Sequence, residues 1–174
     1  HVLTTPGEHP ATEETVRDFE RQGWRRATLP VDATGLLQSE AIESAPWSQV
    51  RLATALLAHN ETGVIQETAG LAAACRAHRV PLHLDAVQAV GKIDVSFRRL
   101  QATALSFAAH KFGGPRGIGG LLLETGAPFA PLLRGGHLEQ DRRPVTERVA
   151  RAAGMALALE LWQADREQIT TRVQ

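Results

Sequence analysis

The stretch RLATALLAHN, residues 51–60, carries the strongest strand pattern in the chain. Residues 51–58 form a nearly continuous apolar run, which is typical of a central strand that is buried on both faces of a parallel sheet. The run ends at His59 and Asn60, so two polar side chains follow the strand directly. This stretch therefore predicts a parallel sheet and marks one of its carboxyl ends.

Helical and strand patterns alternate on both sides of this strand. Leu71, Ala72 and Cys75 recur at helical spacing. Helices are predicted over residues 11–22, 37–45, 68–78 and 149–162, and further strands over residues 2–5, 27–29, 81–85, 102–107 and 120–123. The alternation predicts an α/β fold with three layers, in which a mainly parallel sheet carries helices on both faces.

Composition excludes several classes of protein. The 174 residues include 19 basic and 19 acidic side chains, so we expect no broad electrostatic surface for nucleic acid or an anionic membrane. No apolar run approaches the roughly 18 residues that a membrane span needs. The single cysteine excludes an internal disulfide and favours a reducing compartment, so we expect a cytoplasmic protein.

Polar groups follow three predicted strands. Asn60 follows the first, Asp85 the second, and His110 and Lys111 the third. Ligands of open α/β sheets bind beyond the carboxyl ends of the strands. A lysine can form an imine with a carbonyl cofactor, and a carboxylate can keep a pyridine nitrogen protonated. The three loops together predict a site for a cofactor that accepts electrons.

Plainer interpretations exist for each group. Asp85 and Asn60 also suit turns, Lys111 a solvated loop, and Gln88 an exposed surface. Spacing alone leaves these alternatives open.

Two rival chemistries fit the sequence less well. The glycine-rich stretch GGPRGIGG, residues 113–120, follows Lys111, whereas a phosphate-binding Walker loop places its lysine after the glycines. His83 and Asp85 share one strand face, but no zinc-binding pattern accompanies them. We therefore expect no metal, and we expect His83 to be a packed strand residue.

Four segments in order resemble the cysteine desulfurases. They are EHPA (residues 8–11), AHNETGVIQ (58–66), HLDAVQAVGKID (83–94) and AHKFGGPRGIG (109–119). The resemblance extends to about residue 160. The family belongs to the class V aminotransferase group of pyridoxal 5′-phosphate (PLP) enzymes with the type I fold, and the resemblance implies that fold and that cofactor here.

The resemblance also implies roles for particular residues. Lys111 corresponds to the lysine that carries PLP as a Schiff base, and His9 to the histidine that stacks on its ring; these two are the candidate catalytic residues. Asp85 corresponds to the acid that pairs with the pyridine nitrogen, and Gln88 to the amide that contacts the ring hydroxyl.

Further positions concern the cofactor pocket and its phosphate. Asn60 corresponds to a pocket asparagine and His110 to a phosphate-contacting histidine. The family usually has a serine where this chain has Ala108, and Ser106 is the nearest remaining hydroxyl, so we include Ser106 among the candidate cofactor contacts. Losing one hydrogen bond to a charged group costs about 1.5–3 kcal/mol.

The family reaction takes sulfur from L-cysteine and leaves L-alanine and an enzyme persulfide, which serves iron–sulfur cluster assembly or other sulfur transfer. The resemblance implies a homodimer and a sulfur-acceptor protein as partners. We expect residues 1–150 to be most of a PLP-binding large domain, and residues 151–174 to be a helix leading toward an absent small domain that carries the nucleophilic cysteine. Cys75 lies on an apolar helical stripe, so we interpret it as structural.

Two departures from the family keep alternatives open. Val145 stands where the family has glycine before a threonine, and a β-branched residue adopts positive φ with difficulty. Arg148 stands where the family has asparagine. The alternatives are another class V PLP enzyme, such as an aminotransferase or a selenocysteine lyase, and a degenerate homologue that acts as a scaffold.

Overall fold

A mixed sheet with flanking helices organises the part of the chain that is described, residues 1–166 of a computed structural model. Its strands are β1 (Val2–Thr4), β2 (Arg26–Thr28), β3 (Leu52–Leu56), β4 (Leu82–Asp85), β5 (Ala104–Ala108) and β6 (Gly119–Leu123). The helices are α1 (Pro10–Arg21), α2 (Ser39–Glu43), α3 (Ala69–Ala77), α4 (Phe97–Leu100) and α5 (Val149–Ala164). Two 3₁₀ turns cover Ala109–Phe112 and Leu138–Asp141.

The strand order places a ligand site at a predictable edge. The order is β2-β1-β3-β4-β5-β6, in which β1 to β5 run parallel and β6 runs antiparallel to β5. The chain passes from β1 to β2 on one side of the sheet and from β3 to β4 on the other side. The loops after the neighbouring strands β1 and β3 therefore diverge, and such a topological switch point is where α/β sheets bind ligands. The register sets Leu56 of β3 beside Asp85, and Asp85 beside Ser106 of β5. The carboxyl ends of three strands therefore lie side by side.

Alternation along the strands gives the sheet an apolar face and a more polar face. The apolar face packs against α2 and α3 in the main core, which includes Leu3, Ala53, Ala55, Leu82, Leu84, Ile42, Leu71 and Cys75. The opposite face carries Thr54, His83, Asp85 and Ser106, and it lies opposite α1 across a cleft. Helices on both faces of a mainly parallel sheet were predicted, and that fold class is confirmed.

The structure differs from the sequence prediction in a few elements. The predicted helix over residues 37–45 is the shorter α2, and α4 was not predicted. Helix α4 has four residues, too few to show a helical period, and its start is fixed by the Ser96 side chain, which accepts from the Arg99 N–H. The amino acids of β6 do not reveal that it runs antiparallel to β5, because the direction of a strand depends on the turn that precedes it.

Helix α5 covers residues 151–164 of the segment that was predicted as a helix over residues 151–174. Residues 167–174 of that prediction lie outside the described residues. Within residues 1–166, no helix combines the length and apolar character needed to cross a membrane.

Candidate functional site

A cleft of about 570 Å³ lies between α1 and the polar face of the sheet. It reaches the carboxyl ends of β4 and β5. Five of the seven candidate residues line it: His9, Asp85, Ser106, His110 and Lys111. Asn60 and Gln88 are not among its lining residues. Asn60 occupies the exposed turn after β3, and Gln88 lies half-buried one helical turn beyond Asp85.

His9 is fixed at the start of α1. Pro10 occupies the first helical position, where its missing N–H costs no hydrogen bond. The His9 ring caps the helix, because its Nδ1 accepts from the Ala11 N–H over 3.1 Å. An accepting Nδ1 carries no proton, so a neutral His9 ring carries its proton on Nε2. The cap therefore sets both the place and the tautomer of the ring.

Glu8 anchors the turn that carries His9, a role that was not predicted from the sequence. Glu8 is 5% exposed, and its Oε1 accepts from the Thr5 hydroxyl and, over 3.0 Å, from the Leu56 N–H of β3. Burial raises the pKa of the Glu8 carboxyl, and the nearby charge of Asp85 raises it further. The one available signal was the position of Glu8 within the motif EHPA.

Asp85 places a carboxylate at the base of the cleft. It ends β4, is 7% exposed, and its Oδ1 accepts from the Val87 N–H over 2.9 Å. Within residues 1–166, no protein group donates to Oδ2 of Asp85. One oxygen is thus held by the backbone, and the other remains for a ligand.

A hydrogen-bonded row crosses three strands beneath this carboxylate. The Nδ1 of His83 lies 2.9 Å from the Thr54 hydroxyl, and its Nε2 lies 3.0 Å from the Ser106 hydroxyl. Burial lowers the pKa of His83, and the charge of Asp85 opposes that effect only in part. A neutral imidazole has one donor and one acceptor nitrogen, so it suits two hydroxyl neighbours. Ser106, predicted as a cofactor contact, lines the cleft and pairs with His83. His83 was predicted to be a packed strand residue, and its hydrogen bonds to Thr54 and Ser106 were not predicted.

Lys111 lies on the 3₁₀ turn that follows β5 directly. The turn spans Ala109–Phe112, and Gly113 closes it at a φ of +84°, in the left-handed region that favours glycine. His110, on the same turn, is exposed and also lines the cleft. Ala108 ends β5 at the cleft wall and presents a methyl group there.

Gln88 and Lys92 form a pair beside Lys111. The Lys92 ammonium donates a hydrogen bond to Oε1 of Gln88. The backbone around the pair is helical, because the Val90 N–H donates to the Ala86 carbonyl and the Ile93 N–H donates to the Ala89 carbonyl. Sequence reasoning named Gln88 but not Lys92, because a contact at this spacing forms only if the loop is helical.

In the segment that contains Val145 and Arg148, the residues with positive φ are others than Val145. Glu139, Gln140 and Asp141 have φ values of +50°, +58° and +64°. Val145 is not among the residues with positive φ, so its β-branched side chain meets no backbone strain there. Residues Arg143 and Arg148 line a separate open groove beside β6.

Cys75 lies away from the cleft. It lies on α3 where the helix faces the main core, it is 1% exposed, and burial raises the pKa of its thiol to about 12. A thiol with that pKa is protonated at neutral pH and is a poor nucleophile.

Similar proteins share this architecture. A cysteine desulfurase of Klebsiella pneumoniae is 41% identical over 160 residues, which cover 92% of this chain and 40% of that protein. A solved NifS-like protein superposes with a TM-score of 0.92 at 33% identity, covering 96% of this chain and 46% of the other. A structure described as SspA in complex with cysteine gives a TM-score of 0.87 at 28% identity, covering 99% and 52%.

The family follows from the match along the sequence. The chain spans about two fifths of the length of the curated relatives it matches. The aminotransferase class-V family matches residues 1–172, which is nearly the entire sequence. With the strand-end cleft and the structural likeness, that match identifies the chain as a member of the class-V aminotransferase family.

Proposed function

We propose that this chain is the cofactor-binding part of a PLP-dependent cysteine desulfurase, which converts L-cysteine to L-alanine and passes the sulfur to an enzyme persulfide. The class-V aminotransferase family is PLP-dependent. The observation that carries the proposal is that Lys111, Asp85 and His9 line one cleft at the carboxyl ends of parallel strands. The similarity to curated cysteine desulfurases supports the choice of reaction.

The chemistry of the cleft fits PLP. Lys111 offers the amine that would hold the cofactor covalently. Asp85 offers a buried carboxylate with one oxygen held by the Val87 N–H, so its other oxygen is available to the ring nitrogen. His9 offers a flat ring at the mouth of the cleft, fixed by its bond to Ala11. When bound, PLP supplies a ring that accepts the electrons released at the substrate Cα.

The protein groups perform the steps around that ring. Asp85 would hold a proton at the ring nitrogen, because a carboxylate oxygen stabilises a positive charge there. Lys111, when its amine is deprotonated, can take a proton from the substrate Cα or return it. Burial lowers the pKa of His83, which favours the neutral ring between its two hydroxyl partners, so the His83 ring brings little positive charge to this part of the sheet face.

The sulfur step needs a thiol that this cleft does not contain. Cys75 is the single cysteine of the sequence, and it is buried on the other face of the sheet with a raised thiol pKa. We expect the chain of 174 residues to bind PLP but to release no sulfide from L-cysteine. The persulfide cysteine belongs to the longer protein, as the resemblance implies.

The remaining expectations describe the whole protein. Residues 1–150 would form most of its PLP-binding domain, and residues 151–174 would lead toward a small domain. We propose that the protein is a cytoplasmic homodimer that delivers sulfur to an acceptor protein. Its single cysteine is buried, which suits a reducing compartment, and apolar side chains on and after β6 are exposed, which suits a subunit interface.

Titration of the purified chain with PLP tests the cofactor assignment. We expect a visible absorbance band for the imine with Lys111, and we expect Lys111→Arg to lose the band while keeping the positive charge and the fold. His137→Gln, which alters an exposed side chain far from the cleft lining, should leave the band unchanged. A band of full strength in Lys111→Arg would refute the assignment.

Ala108 favours a second candidate function. The chain lacks a hydroxyl at this position of the cleft wall, and the Ser106 hydroxyl is bonded to His83. A homologue that has lost its cofactor and acts as a scaffold would show no absorbance band even as the full-length protein. The same titration, carried out on the full-length protein, therefore separates the two functions.

A further inference from the structure

Lys92 stands out because the chain has only two lysines, Lys92 and Lys111, among its 19 basic side chains. Lys92 lies seven residues after Asp85, on the turn that leaves the carboxyl end of β4. None of the roles assigned above uses it.

The turn that carries Lys92 packs directly against the residue after Lys111. Gly91 has a φ of +75°, and a Cβ atom at this position would lie 2.1 Å from Cβ of Phe112. Only glycine permits this backbone approach. The contact brings the start of the Lys92 side chain next to the turn of Lys111.

The positive charge of Lys111 acts on the Lys92 side chain. Burial lowers the pKa of Lys92, and the positive charge of Lys111 lowers it further. A lysine amine beside another cation is the arrangement that favours a neutral, nucleophilic amine.

The contact with Gln88 has a defined direction. An ammonium group can only donate hydrogen bonds, so it selects Oε1 of the Gln88 amide and not its NH₂ group. The helical turn of residues 86–93 holds the two residues four apart on one side. Within residues 1–166, the NH₂ group of Gln88 donates to no protein acceptor. It is therefore available to an oxygen of a ligand.

We propose that Lys92 is a positioning residue, which turns the NH₂ group of Gln88 toward the ring oxygen of the cofactor and places a second positive charge beside Lys111. The inference rests on the proposed function for the identity of the ligand. The orientation of the amide rests on the Lys92–Gln88 contact alone.

Two substitutions separate this role from a structural one. Lys92→Met keeps an unbranched side chain that is one atom shorter and removes the charge and the donor, whereas Lys92→Arg keeps both. A nearby cation and a donor to the ring oxygen both favour loss of the proton from the Lys111 nitrogen in the bound cofactor. Lys92→Met should therefore raise the pH midpoint of the absorbance titration by about 1 unit and weaken PLP binding roughly tenfold. Lys92→Arg should restore both toward the wild type.

Each outcome decides the inference. Equal pH midpoints in the wild type and Lys92→Met would overturn it, and so would the same shift in Lys92→Arg. A loss of thermal stability in Lys92→Met without a change in the midpoint indicates a structural role and also overturns it. Circular dichroism of both variants establishes that they are folded.

A measurement without cofactor keeps the inference separate from the proposed function. The side-chain NH₂ resonances of Gln88 in the cofactor-free chain should shift in Lys92→Met and return toward their original positions in Lys92→Arg. If the wild type binds no PLP, the proposed function fails, and these resonances still decide whether Lys92 orients the amide. Unchanged Gln88 resonances in Lys92→Met would contradict the contact itself.

Discussion

Single residues determine how tightly the cleft can hold a phosphorylated cofactor. Ala108 has extended backbone angles, φ of −133° and ψ of 126°, which a serine adopts equally well, and it lines the cleft. Ala108→Ser restores one hydrogen bond to a charged group, so we expect roughly 10- to 100-fold tighter binding of PLP. Fluorescence titration checks this, with Ala108→Val as the matched control that adds volume but no hydroxyl. Tighter binding in both variants would show that the hydroxyl is not the cause.

His83 gives the protein a predictable dependence on pH. Its folded-state pKa is lowered by burial from an ordinary value of 6.5, so the unfolded chain binds the proton more readily. Stability should therefore rise with pH from the folded pKa up to about 6.5 and gain nothing from this group above that value. His83→Gln should flatten the slope of the unfolding free energy against pH in the range just below pH 6.5, as measured in urea.

The control for that measurement is another histidine. His137 has a side chain that is 93% exposed. His137→Gln should leave the slope at its wild-type value. A slope that disappears in His137→Gln and persists in His83→Gln would contradict the assignment to His83.

Site residues that follow a strand could be predicted from the sequence, whereas contacts between strands could not. Lys111 and Asp85 follow strands, and that order along the chain is visible without a structure. The bonds from His83 to Thr54 and Ser106 join three strands, so they depend on a register that no local pattern encodes. The Lys92–Gln88 contact depends likewise on a helical turn that forms in a loop.

The turn that carries Lys92 and the turn that carries Lys111 meet where Gly91 lies against Phe112. Gly91 needs its φ of +75° and has no room for a Cβ atom against Phe112, whereas Gly63 has a similar φ of +73° and open space around it. Gly91→Ala should lower the unfolding free energy by about 3 kcal/mol or more, and Gly63→Ala by about 1–2 kcal/mol. Denaturant titrations of the two variants measure the difference. Equal losses would show that the contact with Phe112 yields without cost.

Most elements followed from apolar periodicity, and the exceptions are the short ones. The buried strand β3 and the long helices α1 and α5 were predicted to within two residues. Helix α4 has four residues and depends on its Ser96 cap, and the direction of β6 depends on the turn before it. Periodicity therefore predicts the long elements and the parallel core, but not the edge of the sheet.

The whole molecule exposes apolar side chains around β6. Leu121 and Leu122 of this strand are 46% and 43% exposed, and Leu132 is 96% exposed. We expect the chain to self-associate through this surface, as the proposed homodimer requires, because exposed apolar patches favour association. Sedimentation velocity should show a mass that rises with concentration, and Leu132→Asp should lower it. Leu157→Asp, on α5, is the control, and a monomer at all concentrations would contradict the interface.

The central claim is that the cleft places Lys111 to carry the cofactor. The most direct measurement reduces the PLP-loaded chain with borohydride and maps the labelled peptides by mass spectrometry. The native chain should carry the label on Lys111 alone, whereas the urea-unfolded chain should label Lys92, Lys111 and the terminal amine without preference. A native label on Lys92, or one shared equally between the two lysines, would contradict the account.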